Sequence, residues 1–170
     1  MSNTGSYARK ARWMPFVMVP IFLMGAFLIY QRLAYESTDF FTENFRLYPV
    51  PASLSEDESF KPSLEALNAS DYSIAVEPLL QRFNATKDAR IGLQLAMAFM
   101  GSKDYWAAIT ILEEVKGIEP DLTSQSEWYK ILCLIALEEK NDAKAMIEYY
   151  CEQPDFEFNR ERALELKEKY

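Results

Sequence analysis

Two patterns of apolar and polar positions divide the chain. Residues 13–30, WMPFVMVPIFLMGAFLIY, are eighteen residues without a charge. As a helix they would rise roughly 27 Å, against a hydrocarbon core of about 30 Å. Trp13 and Tyr30 bracket the stretch where interfacial aromatics belong, and Arg9, Lys10 and Arg12 stand just before it. The pattern predicts a single transmembrane helix, kinked at Pro20 where a mid-helix hydrogen bond is lost. A cleaved signal peptide is the alternative, although no small-x-small site follows Tyr30; a buried helix of a soluble domain is another. The second pattern runs from Ser55 to the C-terminus. Apolar residues recur there at helical spacing, interrupted by short polar turns.

Between the two lies an aromatic stretch. Ser37 is a candidate N-cap, and Phe40, Phe41, Phe45 and Tyr48 would share one face of a short helix stopped by Pro49 and Pro51. This helix would lie at the bilayer interface or dock on the first repeat. Its acidic polar face favours docking.

Within the helical part, three short patterns recur: Asp71-Tyr72-x-x-Ala75, Asp104-Tyr105-x-x-Ala108 and Asn141-Asp142-x-x-Ala145, offset by 33 and 37 residues. A period in the thirties with two helices per unit points to a solenoid, with a non-repeating antiparallel bundle as the alternative. The middle unit, starting at Ala89, resembles the tetratricopeptide repeat (TPR) family. Leu95, Ala96 and Phe99 match the large, small and aromatic sites of its first helix. Ala108, Leu112, Val115 and Pro120 match its second helix and terminator. The third unit aligns Tyr129, Leu132, Cys133 and Ala136, then Ala145 and Tyr149, with extra residues around Thr123–Gln125. The first aligns Phe60, Leu64 and Leu67, then Ala75 and Leu79, with Pro78 inside its second helix.

The expected organisation is therefore all-α. A cytoplasmic tail (1–12) precedes the transmembrane anchor (13–30) and a juxtamembrane aromatic helix and linker (31–55). About three TPR-like hairpins (56–152) and a C-terminal capping helix (153–170) follow.

Charge sets direction and excludes partners. Residues 1–32 carry four basic side chains and no acid, whereas the whole chain carries −8, so residues 33–170 carry −12. The positive-inside rule puts the N-terminus in the cytoplasm and the remainder outside an inner (plasma) membrane, in a periplasm or its equivalent. So acidic an outer part argues against nucleic acid. The chain has no histidine and too few glycines in the right places for a phosphate loop. That removes the histidine-based triads and zinc sites, so no enzyme activity, no cofactor, no metal and no small-molecule substrate is expected. Cys133 and Cys151 would be two buried free thiols or a strained disulfide. Asn68 and Asn84 head glycosylation sequons that fall at expected helix-helix turns and read better as ordinary turn and cap residues.

TPR resemblance implies a concave face lined by the first helix of each unit. On this alignment the partner groove is Lys61 and Glu65, then Arg90, Leu93, Met97 and Met100, then Lys130, Leu134 and Leu137. Its centre would be apolar and rich in methionine, suited to a peptide. The alternative is that these residues are core, covered by the aromatic segment or the C-terminal helix. Two functions follow as expectations. One is a membrane-tethered scaffold for a protein or peptide partner, accessory to a secretion or envelope assembly complex. The other is a transmembrane regulator signalling through its short tail.

Overall fold

The computed structural model describes residues 24–27, 40–50, 52–55 and 58–170. Every regular element among them is helical. The chain divides into two units. The first, Met1–Asp39, contributes one described helical turn, 24–27, with Met24 and Phe27 exposed. Most of the expected anchor, its flanking Arg9, Lys10, Arg12, Trp13 and Tyr30, and Ser37 lie outside the described residues. Among those described, no helix is long and apolar enough to cross a membrane.

The second unit, Phe40–Tyr170, begins with a short helix α1 (residues 40–44), an irregular stretch 45–50 and a single turn α2 (Ala52–Ser55). Six longer helices follow: α3 (Lys61–Asn68), α4 (Tyr72–Thr86), α5 (Ala89–Gly101), α6 (Tyr105–Ile118), α7 (Thr123–Ala136) and α8 (Lys140–Glu152). A 3₁₀ turn, Pro120–Leu122, joins α6 to α7, and α9 (Arg160–Lys169) closes the chain. From α3 onward each helix packs chiefly on its neighbours in sequence.

The hairpins α3–α4, α5–α6 and α7–α8 turn in the same way. Asp71, Asp104 and Glu139 donate their N–H groups five residues back, to the carbonyls of Ala66, Phe99 and Leu134, at 2.8, 2.9 and 3.0 Å. The residues just before them, Ser70, Lys103 and Glu138, donate to Leu67, Met100 and Ile135 and hold φ of 64°, 65° and 60°. This pair of bonds closing on a left-handed residue is the Schellman stop, which satisfies carbonyls a helix end leaves unpaired. None of the three left-handed residues is glycine, so each turn carries a conformational penalty that hairpin packing outweighs.

Equivalent turns are thus 33 and 35 residues apart, which corrects the third unit. Ala143, not Ala145, is the buried counterpart of Ala75 and Ala108; all three are fully buried, whereas Ala145 is exposed. Tyr149 likewise points outward at 45% exposure while Ile147 and Tyr150 enter the core. Polar residues of similar type around Asn141 mimic a motif whose burial pattern lies two residues earlier. Thr123–Gln125, expected in a lengthened connection, form the first turn of α7.

Close approach at the centre depends on Gly92. A Cβ there would fall 2.5 Å from Val115 Cγ2 and 2.8 Å from Phe83 Cε2, so α5 meets α4 and α6 where no side chain fits. Pro78 is accommodated within α4. Asn68 and Asn84 are exposed in the last turns of α3 and α4. At the far end α9 lays Ala163 and Leu166 into the core. Arg160 holds the C-terminal carbonyls around α8, those of Cys151, Gln153 and Phe156, at 3.0, 2.7 and 3.1 Å. A cation at orphan helix carbonyls satisfies them and complements the helix dipole.

Candidate peptide-binding face

Helix α5 is nearly all apolar over residues 93–100, LQLAMAFM, and is buried over most of its surface: its residues from Ile91 to Ala98, and Met100, are inaccessible to solvent. Two neighbouring helices cannot enclose a third completely. The remaining cover is residues 40–50, whose Phe40, Phe41, Phe45, Leu47, Tyr48 and Val50 pack on the core as half-buried side chains.

This strap departs from the short helix expected through Tyr48. Its helix ends after residue 44, with the N–H of Phe45 donating to Phe41 at 2.7 Å. Pro49 disfavours helical backbone at Tyr48, and the freed carbonyls are taken by the helices beneath. Gln94 Nε2 donates to the Tyr48 carbonyl at 3.1 Å, and the Tyr129 hydroxyl donates to the Arg46 carbonyl at 2.8 Å. Gln94 and Tyr129 sit at equivalent places, each five residues before the carbonyl that anchors its hairpin turn (Phe99 and Leu134). The repeat therefore presents two donors in register to carbonyls two residues apart on one peptide.

Aromatic rings fix the flanks. Phe41 and Phe45 stack at 5.0 Å between centroids. Phe41 meets the edge of Tyr105 at 5.3 Å and Phe45 meets Tyr72 at 6.3 Å, so the first residues of α6 and α4 form one wall. Tyr48 and Tyr129 both pack on Phe158, from the link before α9, at 6.1 and 5.8 Å. Phe158 is itself placed by its N–H to Ser124 Oγ at 3.1 Å and its carbonyl to the Tyr150 hydroxyl. Burial, and then the neighbouring Tyr48, push the Tyr129 phenol far above its ordinary range, so it stays protonated and remains a donor.

The sequence-derived groove residues divide sharply. Leu93, Met97, Met100 and Leu134 are buried core. Leu137 is half-buried, and Lys61, Glu65 and Arg90 are exposed. Lys130 turns toward α6 and pairs with Glu113. By the turn register, the counterparts of Leu93, Met97 and Met100 in the third hairpin are Trp128, Leu132 and Ile135, all buried, rather than Lys130, Leu134 and Leu137. An open apolar groove is thus replaced by a covered one. Gln94 and Tyr129, which hold the cover, were missed. Their signal was a lone amide inside an apolar helix and a tyrosine one repeat later, since buried polar groups demand partners.

Beside this face, Glu113, Lys116, Glu127 and Lys130 link α6 to α7. Lys116 Nζ lies 2.8 Å from Glu113 and 2.7 Å from the buried Glu127. Burial pulls the Lys116 pKa down, but hydrogen bonds and attraction from both carboxylates outweigh it and raise it to about 12. Burial pushes the Glu113 carboxyl up, but hydrogen bonds and attraction from Lys116 and Lys130 outweigh it and hold the carboxyl below the usual range. Cys133 and Cys151 are free, buried thiols whose pKa values burial raises, which keeps them unreactive.

No family model matches this chain, and neither a curated protein nor a solved structure matches it. The geometry therefore speaks alone. Two donors, an aromatic wall and an apolar floor hold residues 40–50 by their backbone and their aromatic side chains.

Proposed function

We propose that this chain is a membrane-tethered interaction scaffold that holds a protein partner outside the cytoplasm. Its hairpins act as a TPR-like stack, residues 13–30 are its single span, and the tail 1–12 stays in the cytoplasm. Tethering concentrates the helical face near other proteins of the same membrane, which favours a role accessory to secretion or envelope assembly. The observation that carries this reading is the peptide already lying on the hairpins, with its carbonyls held by Gln94 and Tyr129. Apolar 13–30 with its basic N-terminal flank supports the tether, and the absence of histidine from the whole sequence supports a binding role over a catalytic one.

Burial of Met97 and Leu134 makes charged substitutions there tests of folding. A cleaner test puts a photo-crosslinking amino acid at exposed Lys61 or Glu65, beside the face, and at exposed Thr110 on the flank of α6. In membranes from cells making the full chain, the first two positions should capture a protein neighbour that Thr110 does not. The chain itself should resist alkaline extraction. Recovery of the chain in the soluble fraction would remove the tether, and equal capture from all three positions would remove the face.

A further inference from the structure

We propose that residues 40–50 are a resident, exchangeable ligand, and that the face beneath them accepts in trans a partner peptide of the same chemistry. Such a peptide carries bulky aromatics at positions i, i+4 and i+7, as Phe41, Phe45 and Tyr48 do. Its backbone leaves the helix at the second of these, so that carbonyls two residues apart become available. The inference rests on the scaffold reading and names the ligand class of that same face.

Three observations carry it. First, no residue of the strap is fully buried, whereas most residues of α5 beneath it are, so the strap forms an outer layer on the stack. Elements with few fully buried groups open at lower free energy than the whole fold. Second, the two donors read main-chain carbonyls, which every peptide offers, and selectivity is left to the rings: Tyr72 and Tyr105 receive the first two aromatics and Phe158 the third. Third, Gln94 Oε1 is buried beside the held carbonyl and has no donor. A ligand that supplies one removes a cost the resident segment leaves in place, which gives an incoming peptide an advantage over it.

Strap occupancy also implies control. An internal ligand tethered by the adjoining linker has a high effective concentration, so only a well-matched or locally concentrated partner displaces it.

The test uses the full chain in detergent and, as probe, a fluorescein-labelled peptide of residues 38–50. Phe41→Ser with Phe45→Ser in the chain weakens the resident copy while leaving the face intact. This double variant should bind the probe at least tenfold tighter than the wild type does. Adding Tyr129→Phe and Gln94→Met should reverse that gain, and a scrambled probe should bind neither. A double variant that keeps its helical circular dichroism yet binds the probe no better than wild type overturns the proposal.

Should the double variant fail to fold, hydrogen exchange on the wild type decides. Saturating probe should speed amide exchange in residues 40–50, and unchanged exchange overturns the proposal. A concentration-dependent dimer of the wild type that Phe41→Ser and Phe45→Ser abolish would make a second copy the occupant, overturning the partner peptide. The two readings fail separately. Probe exchange without face-specific crosslinked neighbours sinks the scaffold, and face-specific neighbours without probe exchange sink the resident ligand.

Discussion

Helix α5 and the strap that covers it are both rich in apolar side chains, yet they are held in different ways. On α5, Leu93, Leu95, Ala96, Met97 and Met100 are wholly removed from water. Its stability comes from packing at interior density, where every methylene counts. On the strap every aromatic side chain stays half-buried, and beyond residue 44 its backbone is held by side-chain donors instead of a helical ladder. The difference separates what makes the fold from what rides on it. Loss of an α5 side chain damages the stack, whereas loss of a strap side chain should loosen only a cover.

Met97→Ala should have the largest effect. It removes a fully buried side chain at the stack's centre and should cost about 2–5 kcal/mol in chemical denaturation. A loss below about 1 kcal/mol would erase the contrast. Phe45→Ala should cost roughly 1–2 kcal/mol because its ring is only partly buried. Hydrogen exchange should quicken in residues 40–50 while α5 and α7 keep their protection; equal loosening of both regions would make strap and stack one cooperative unit.

Tyr129→Phe deletes one donor to the strap and should cost about 1 kcal/mol, again read as faster exchange around Arg46 rather than a lower slope of denaturation. Lys103→Gly acts on the stack alone. Its left-handed backbone, with φ of 65°, suits glycine, so the variant should gain roughly 1 kcal/mol with exchange in the strap unchanged. The smallest effect concerns pH. Because the Glu113 carboxyl is lowered on folding, its contribution is present above the ordinary carboxylate range and fades as pH falls through its lowered value. Partly exposed partners limit it to below about 1 kcal/mol. Glu113→Gln should flatten the acid limb of a stability–pH curve, and an unchanged limb would place the acid sensitivity elsewhere.

Much of the stack could be read in one dimension. Ala75, Ala108, Leu112 and Val115 are buried where helical spacing put them, because a helix face needs only local periodicity to declare itself. The third hairpin slipped by two residues because Asn141-Asp142 resembles the earlier turns in residue type. The actual register is fixed by burial of Ala143 and Ile147 against neighbouring helices, a long-range property. Leu93, Met97 and Met100 were correctly recognised as one apolar surface, but their exposure was not legible. Whether such a surface is groove or floor depends on a segment some fifty residues earlier in the chain.

The sequence by itself determined that the described part is helical, that its hairpins repeat in the thirties, and that an aromatic segment precedes them. Each is a local consequence of which side chains recur at which spacing. Only the tertiary structure decided the 35-residue second offset, the unwinding of the strap after residue 44, and the pairing of Gln94 and Tyr129 with its carbonyls. Those depend on groups distant in sequence meeting, and a buried donor finds its acceptor only once the helices that carry it have packed.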